Sequence, residues 1–181
     1  FHPVKTMTTG EGGAVTTNDP ELYERLVLLR SHGITREPAR LSEQPGTWWY
    51  EQQMLGFNYR MTETRGALGR SQLKKLDRFI DRRIAIVDRY EAAFAGLDWL
   101  RLPQAGGTDR IGYHLFVVQI DFGRIGRSRA EVMAALAALG VGSQVHYIPV
   151  PRQPWYRKTY GEPEPFPAAD RYYEGAPSLP L

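Results

Sequence analysis

The stretch YHLFVVQIDFGRIGRSRAEVMAALAALGVGSQVHYI, residues 113–148, decides the fold class. Residues 113–121 alternate between apolar and polar side chains, as a half-buried strand does. Residues 128–139 are rich in alanine and begin with a serine that can cap a helix. Residues 141–148 again have the composition of a strand. The order strand, helix, strand predicts a small α/β lobe.

A long amphipathic helix precedes this lobe. It is predicted to begin near Thr62 and to end at Gly96, at a length on the order of 45 Å, unless Gly66 or Gly69 breaks it. Its apolar stripe consists of Leu73, Leu76, Ile80, Ile84, Val87, Tyr90 and Phe94. A helix of this length can bridge two lobes, so we expect a domain boundary that separates residues 1–69 from residues 70–181.

The front of the chain is predicted to contain two short extended runs, residues 4–9 and 14–17, joined by a glycine-rich turn. A helix should follow, because Asp19 can cap its first turn and Pro20 suits its first helical position. Residues 34–53 lack periodicity and predict a long loop with an aromatic cluster. At the other end, the proline-rich and tyrosine-rich tail after residue 148 should be irregular.

The composition excludes several classes of protein. The 181 residues suffice for one domain, and both ends look cut, so a fragment is expected. The 23 basic and 20 acidic residues leave too little excess charge for a nucleic-acid surface. Membrane spans are not expected, because no apolar run is long enough. The four histidines lack the spacing of metal ligands, so we expect no metal site. The absence of cysteine is compatible with a cytoplasmic enzyme.

Lys5 is the candidate catalytic residue. A lone lysine is usually a solvated surface group, but Lys5 lies between Val4 and a run of threonines and close to His2. A partly desolvated ammonium group in such a place would have a lowered pKa and a usable free amine. A free amine is what the formation of a Schiff base needs.

Several separated motifs resemble the DegT-type sugar aminotransferases, and the likeness extends over nearly the whole chain in order. The lysine segment FHPVK, residues 1–5, followed by TTGEGGAV, residues 8–15, is similar to the lysine segment of that family. The other similar blocks are RSHG at residues 30–33, GFNYRM at 56–61, SQLKKLD at 71–77, QVHYIP at 144–149 and SLP at 178–180.

The resemblance implies an aspartate-aminotransferase-like fold of the type I pyridoxal-phosphate class. Residues 1–69 would then be the C-terminal part of the large domain, and residues 70–181 the bridging helix and the small α/β domain. The resemblance also implies a homodimer with shared active sites. The serine and the aspartate that the family uses for the cofactor phosphate and the pyridine nitrogen would lie before Phe1.

The resemblance further implies the cofactor and the site residues. It places the Schiff base with pyridoxal 5′-phosphate on Lys5 and a contact to the partner subunit's cofactor phosphate, and to substrate, on Asn58. Contacts to the nucleotide sugar fall on Gln144, Val145, His146 and Tyr147. The motifs are most similar to the pseudaminic-acid branch of the family, in which L-glutamate donates an amino group to C4 of a UDP-linked 4-keto-6-deoxy sugar and leaves as 2-oxoglutarate.

Two alternatives stay open. One is a related enzyme that acts on another nucleotide 4-keto sugar, such as the precursor of perosamine or of 4-amino-arabinose. The other is a non-catalytic regulatory or interaction protein of the same fold, since the given residues lack the front of the cofactor site and would be inactive by themselves.

Overall fold

The structure, a computed structural model, describes residues 1–103 and 110–181 and divides the chain into two units. Unit 1 is Phe1–Lys74 and unit 2 is Lys75–Leu181. The sequence had suggested a division between residues 69 and 70. The assignment of the two units to a large and a small domain stays a prediction.

Unit 1 contains two helices and a short hairpin. The helices are α1, Pro20–Arg30, and α2, Glu63–Leu73. The strands β1, Ile34–Thr35, and β2, Glu51–Gln52, pair antiparallel, with Ile34 opposite Gln52. The hairpin loop includes a 3₁₀ turn, Pro38–Arg40.

The predicted start of α1 is confirmed by its cap. The Asp19 carboxylate accepts hydrogen bonds from the backbone nitrogens of Glu21, at 2.9 Å, and Leu22, at 3.2 Å. These two nitrogens are among those that the first turn of a helix leaves without a partner. A local sequence signal is therefore sufficient to place this end of the helix.

The loop between β1 and β2 is organised around the carboxylate of Glu51. It accepts hydrogen bonds from the backbone nitrogen and hydroxyl of Ser42, at 2.8 and 2.7 Å, and from Nε1 of Trp49, at 3.0 Å. Glu43 and Gln53 add two further donors. The hydroxyl of Ser42 and the indole of Trp49 are the main causes that lower the pKa of Glu51 to about 2. The long loop predicted for residues 34–53 is thus a hairpin held by one carboxylate.

The predicted extended runs at residues 4–9 and 14–17 are wrong. Residues 1–17 form turns and irregular backbone. Their hydrogen bonds are local, as when the Lys5 nitrogen donates to the His2 oxygen at 3.0 Å and the Thr9 nitrogen to the Phe1 oxygen at 3.1 Å. A strand requires a neighbouring strand to bond with, and none of the strands that the structure describes pairs with this segment.

The long helix is also interrupted, but at neither glycine. Helix α2 ends at Leu73, and helix α3, Leu76–Phe94, begins after a turn at Lys74 and Lys75. The cap residue Lys75 has no side-chain hydrogen bond to the first turn of α3. The single bridging helix expected from Thr62 onward is therefore two helices.

Unit 2 is built around two antiparallel strand pairs. Strand β3, Leu100–Arg101, pairs with β5, Gln119–Ile120, and β4, Phe116–Val117, pairs with β6, Ser178–Leu179. After α3, the remaining helices are α4, Phe122–Ile125; α5, Arg129–Ala138; α6, Pro154–Tyr160; and α7, Pro167–Gly175.

The core of unit 2 lies on one face of the segment 116–120. Phe116, Val118 and Ile120 are buried at every second position, as the period of a strand requires. Val87 of α3 completes the buried cluster, and the ring of Tyr90 stacks on Phe116 at a centroid distance of 5.0 Å. The strand predicted for residues 113–121 is present only as the two short strands β4 and β5, which have different partners. The predicted helix in residues 128–139 is confirmed, with a capping box between Ser128 and Glu131.

Two predictions for the end of the chain are corrected. Residues 141–148 form no regular strand, because only Gln144 is bridged, to Ser178 of the two-residue strand β6. The tail after residue 148 is not irregular: it contains a 3₁₀ turn, Val150–Arg152, then α6, α7 and β6.

Candidate active site

Lys5 lies on a turn that closes back on its own start. The Thr8 hydroxyl donates to the Phe1 oxygen at 2.9 Å, and the Phe1 nitrogen donates to the Gly12 oxygen at 2.7 Å. The Lys5 side chain is exposed. The residues of unit 1 therefore present the amine, but by themselves they do not supply the partial desolvation expected from the sequence.

Thr9 anchors this lysine segment. It is one of the few buried residues of unit 1, and its hydroxyl donates to the Glu11 oxygen at 2.8 Å. Its methyl group faces Gly69 in the middle of α2, where a β-carbon would lie only 2.9 Å from Cγ2 of Thr9. Gly69 therefore allows the lysine segment to pack directly on the backbone of the helix.

Asn58 belongs to a segment that pairs with the end of α1. A β-bridge joins Asn58 to Ser31. On either side of it, the Phe57 nitrogen donates to the Leu29 oxygen at 2.7 Å and the Tyr59 nitrogen donates to the Arg30 oxygen at 2.9 Å. The motifs RSHG and GFNYRM, which the sequence analysis took as separate blocks, are thus one structure.

The turn that makes this pairing possible depends on Gly33. Gly33 has a φ of 71°, and a β-carbon there would overlap the carbonyl group of Met54. The preceding residue, His32, also has a positive φ, of 62°, and its nitrogen donates to the Phe57 oxygen at 2.8 Å. The sequence did not predict this close approach of two backbone segments. The glycine in the RSHG motif was the one available indication, because glycine permits a positive φ.

Asn58 is exposed, and its two neighbours in sequence are aromatic. Phe57 and Tyr59, which are 50% and 72% exposed, stack on each other at a centroid distance of 4.9 Å. An amide can donate a hydrogen bond to a phosphate oxygen without adding a charge. The position is compatible with the predicted phosphate contact, which stays a prediction.

In unit 2, Gln144 is the fixed start of the predicted substrate segment. The Ser178 nitrogen donates to the Gln144 oxygen at 2.7 Å, and the Ser178 hydroxyl donates to the same oxygen at 3.0 Å. The Oε1 atom of Gln144 accepts from the Val145 nitrogen at 2.9 Å. The amide nitrogen of Gln144 is consequently the group that can donate to a ligand.

His146 and Tyr147 follow with very different exposure. His146 is half-buried, and its Nδ1 atom is buried without a hydrogen-bond partner in the described part of the chain. Tyr147 is 72% exposed, and its ring packs edge-on against His146 at 4.7 Å. The segment thus offers one exposed phenol and one imidazole with an unused polar atom.

The candidate residues are distributed over both units: Lys5 and Asn58 belong to unit 1, whereas Gln144, Val145, His146 and Tyr147 belong to unit 2. Within residues 1–103 and 110–181, no group of histidine, aspartate and glutamate side chains could hold a metal ion. In the same residues, no helix combines the length and the apolar character that a membrane crossing needs.

Comparison with known proteins places these features in a family. The model of the DegT/DnrJ/EryC1/StrS aminotransferase family matches residues 1–181. The chain belongs to this family. The predicted family and the predicted type I pyridoxal-phosphate fold class are therefore confirmed.

Among curated relatives, SpsC of Bacillus subtilis, a spore coat polysaccharide biosynthesis protein, is 38% identical over 183 residues, which cover 100% of this chain and 47% of SpsC. The UDP-4-amino-4,6-dideoxy-N-acetyl-beta-L-altrosamine transaminase of Campylobacter jejuni serotype O:2 is 35% identical over 180 residues, 99% of this chain and 45% of that enzyme. The chain spans about half the length of the curated relatives it matches.

Solved structures of aminotransferases are also similar to this chain. PseC of Helicobacter pylori, an aminotransferase involved in the biosynthesis of pseudoaminic acid, superposes with a TM-score of 0.86 at 30% identity, over 99% of this chain and 46% of PseC. The PLP-form of Spr1654 from Streptococcus pneumoniae, a putative sugar aminotransferase, gives a TM-score of 0.81 at 29% identity, over 100% of this chain and 45% of Spr1654.

Aminotransferases of this family depend on pyridoxal phosphate, and the residues present here fit that cofactor. Lys5 is an exposed residue with a primary amine, on a segment whose backbone is held by hydrogen bonds from Thr8 and Thr9. A primary amine is the group that an aldehyde cofactor requires. Asn58 supplies a neutral, exposed donor for a phosphate.

Proposed function

We propose that the protein containing this chain is a pyridoxal-phosphate-dependent aminotransferase that transfers an amino group from L-glutamate to C4 of a UDP-linked 4-keto-6-deoxy sugar. The observation that carries this proposal is the match of the whole chain to the aminotransferase family, together with the place of Lys5, an exposed residue, on a hydrogen-bonded turn. The names of the Campylobacter transaminase and of PseC support a substrate of the pseudaminic-acid pathway.

In the proposed mechanism, Lys5 has two tasks. Its Nζ atom would hold the cofactor as a Schiff base, formed with loss of water, until the amine of the donor displaces it. As a free amine it would then carry a proton between the reacting carbon of the donor and that of the cofactor. The bound cofactor supplies an aldehyde and a ring that withdraws electrons. The turn at residues 1–12 limits the movement of the backbone that carries Lys5. Nζ would therefore remain within reach of the two carbon atoms between which the proton moves.

The residues of unit 2 bind the amino-group acceptor, the nucleotide sugar. The amide nitrogen of Gln144 and the phenol of Tyr147 can donate to the hydroxyl groups or phosphate oxygens of a nucleotide sugar. His146, which is half-buried beside Tyr147, is proposed to contact the same ligand through the exposed part of its ring. In the assembled enzyme we propose a homodimer in the cytoplasm, in which Asn58 contacts the cofactor phosphate of the partner subunit and contributes to the substrate site.

The role of Lys5 is tested on the full-length protein. Incubation with pyridoxal phosphate should give a visible absorbance band, and reduction with borohydride followed by peptide mass analysis should find the cofactor attached at Lys5. Lys5→Ala should lose both signals and at least about 10³-fold of the activity, because the nucleophile and the proton carrier are one atom.

Lys74→Ala is the matched control, since Lys74 lies in the turn between α2 and α3 and should keep the cofactor signal. If the cofactor is found on another lysine, or if Lys5→Ala retains the visible band and full turnover, the assignment is wrong.

The sugar is a separate question. The identity of 38% to SpsC favours a second candidate, an aminotransferase for another nucleotide 4-keto sugar that is used in a polysaccharide. Turnover should be compared for the UDP-linked 4-keto-6-deoxy N-acetyl sugar, a GDP-linked 4-keto-6-deoxy hexose and a UDP-linked 4-keto pentose. The proposal expects the first to have the highest kcat/KM, and a higher value for either of the others would replace it.

A further inference from the structure

The predicted substrate segment is fixed at both of its ends. At its start, the backbone of Gln144 pairs with Ser178 through hydrogen bonds of 2.7 and 3.4 Å, to which the Ser178 hydroxyl adds a third. At its other end, the chain enters the 3₁₀ turn Val150–Arg152. His146 and Tyr147 lie between these two points.

The second attachment is an ion pair. Nη2 of Arg152 lies 2.6 Å from Oδ1 of Asp170 in α7, and the two side chains are 37% and 27% exposed. The guanidinium group also lies 5.7 Å from the ring centroid of Tyr173, less than one helical turn after Asp170. A second arginine, Arg129, lies 4.5 Å from the same ring. Arg152 is therefore held both by a charge and by an aromatic ring.

The residues that hold the two ends of the substrate segment lie on one continuous stretch of the chain. Asp170 and Tyr173 lie in α7, and Ser178 lies in β6 directly after the buried residues Ala176 and Pro177. Strand β6 in turn pairs with β4, which carries the buried Phe116. The piece 167–179 is thus supported by the core of unit 2 and holds residues 144–152 as a closed loop.

We propose that Arg152 and Asp170 form a clasp that sets the position of His146 and Tyr147 toward a nucleotide-linked sugar. They are positioning residues for the acceptor, and this role rests on the proposed function. The ion pair is half-exposed and contributes little to overall stability. Its effect is on geometry, because a binding group that is displaced by a fraction of an ångström loses its contact with the ligand.

The clasp acts on one half of the reaction only. Lys5, the residue assigned to the cofactor and to proton transfer from the donor, belongs to unit 1, whereas Arg152 and Asp170 belong to unit 2. Opening the clasp should therefore weaken the binding of the nucleotide sugar and leave the reaction with glutamate unchanged.

The experiment uses the full-length protein loaded with pyridoxal phosphate. Arg152→Ala is expected to raise the Kd for UDP, measured by calorimetry, and the KM for the nucleotide sugar by about tenfold, the equivalent of about one lost hydrogen bond to the ligand. The glutamate half-reaction, followed by the visible spectrum of the cofactor, should keep its rate within about twofold, which is well below that effect.

Charge reversal separates the clasp from a general loss of structure. Arg152→Asp and Asp170→Arg should each weaken UDP binding, and the double variant should regain most of it. Arg157→Ala is the control, because Arg157 and Arg152 line one cavity, but the acidic partner of Arg157, Glu162 at 3.7 Å, lies outside the clasp. If Arg152→Ala does not fold, as judged by circular dichroism, Arg152→Lys replaces it and should give a smaller rise in KM.

Three results would overturn the clasp: unchanged UDP binding in the Arg152 variants, an equal loss in both half-reactions, or no recovery in the double variant. If the wild-type protein performs no transamination with any nucleotide sugar and does not bind UDP, the proposed function fails and the clasp fails with it. If the wild-type protein has normal activity and the Arg152 variants bind UDP as tightly as it does, the clasp is wrong and the proposed function stands.

Discussion

Different interactions stabilise the interior of each unit. In unit 1, which the structure describes completely, the buried residues are Thr9, Gly33 and Gly69. In the described part of unit 2, the buried set is largely apolar and includes Val87, Phe116, Val118, Ile120 and Ala176. Unit 1 is organised by backbone hydrogen bonds and close approach at glycines, whereas unit 2 is organised by side chains that pack around a core.

This difference determines which mutations each unit tolerates. A unit with an apolar core is most sensitive to the removal of atoms, because a cavity remains. A unit in which backbones touch is most sensitive to the addition of atoms, because no space receives them. The predictions below test this contrast through the free energy of unfolding of the full-length protein.

The largest effect is expected in the core of unit 2. Phe116→Ala should lower the free energy of unfolding by about 3–5 kcal/mol, because it removes a fully buried ring that stacks on Tyr90. Phe166→Ala is the matched control, since this phenylalanine of unit 2 is half-exposed, and it should change stability by less than about 1 kcal/mol. Urea unfolding measures both. Equal losses would mean that the core of unit 2 is not where its stability resides.

A smaller effect of opposite kind is expected in unit 1, where Gly66 and Gly69 lie on the same helix. Gly69→Ala should lower the free energy of unfolding by roughly 1–2 kcal/mol, because the new β-carbon meets the stiff, buried Thr9 and overpacking outweighs the gain in helix propensity. Gly66→Ala meets no atom within 4 Å and should raise it by up to about 1 kcal/mol. The same change would then have opposite signs three residues apart. A gain at both positions would show that α2 does not press on Thr9.

The smallest effect concerns the hairpin of unit 1. The pKa of Glu51 is lowered to about 2 from an ordinary value of 4.5. Its contribution to stability is therefore complete above about pH 4.5 and is lost as the pH falls through about 2. NMR titration of the carboxyl carbon should show the low pKa, and Ser42→Ala should raise it, because the hydroxyl of Ser42 is its strongest donor. An unchanged pKa in Ser42→Ala would place the cause elsewhere.

The sequence predicted the parts of the fold that depend on local signals. Asp19 before Pro20, and Ser128 three residues before Glu131, place the starts of α1 and α5 because a cap needs only the first turn of its own helix. Alternation around Val118 likewise predicted a strand, because burial on one face follows the period of the backbone.

The parts that the sequence did not predict depend on distant partners. Residues 4–9 and 141–148 have the composition of strands, but a strand forms only where another edge is free, and β6 offers only two residues to Gln144. The approach of Gly33 to Met54 is a contact across the hairpin that no local pattern encodes. Asn58 was singled out by resemblance to a family alone, since an exposed asparagine has no distinguishing pattern of its own. For Lys5 the neighbouring residues indicated a candidate amine, and the resemblance supplied its role.

The contact between Thr9 and Gly69 also links the local unfolding of two segments. Thr9 is bonded to Glu11 on one side and packed against the middle of α2 on the other. The loop of residues 9–12 can therefore open only when it separates from the helix, so the two form one cooperative unit of local unfolding. Amide protons in both segments should exchange with deuterium at a common rate, and occupation of Lys5 by a ligand should slow exchange in α2 as well as in the lysine segment.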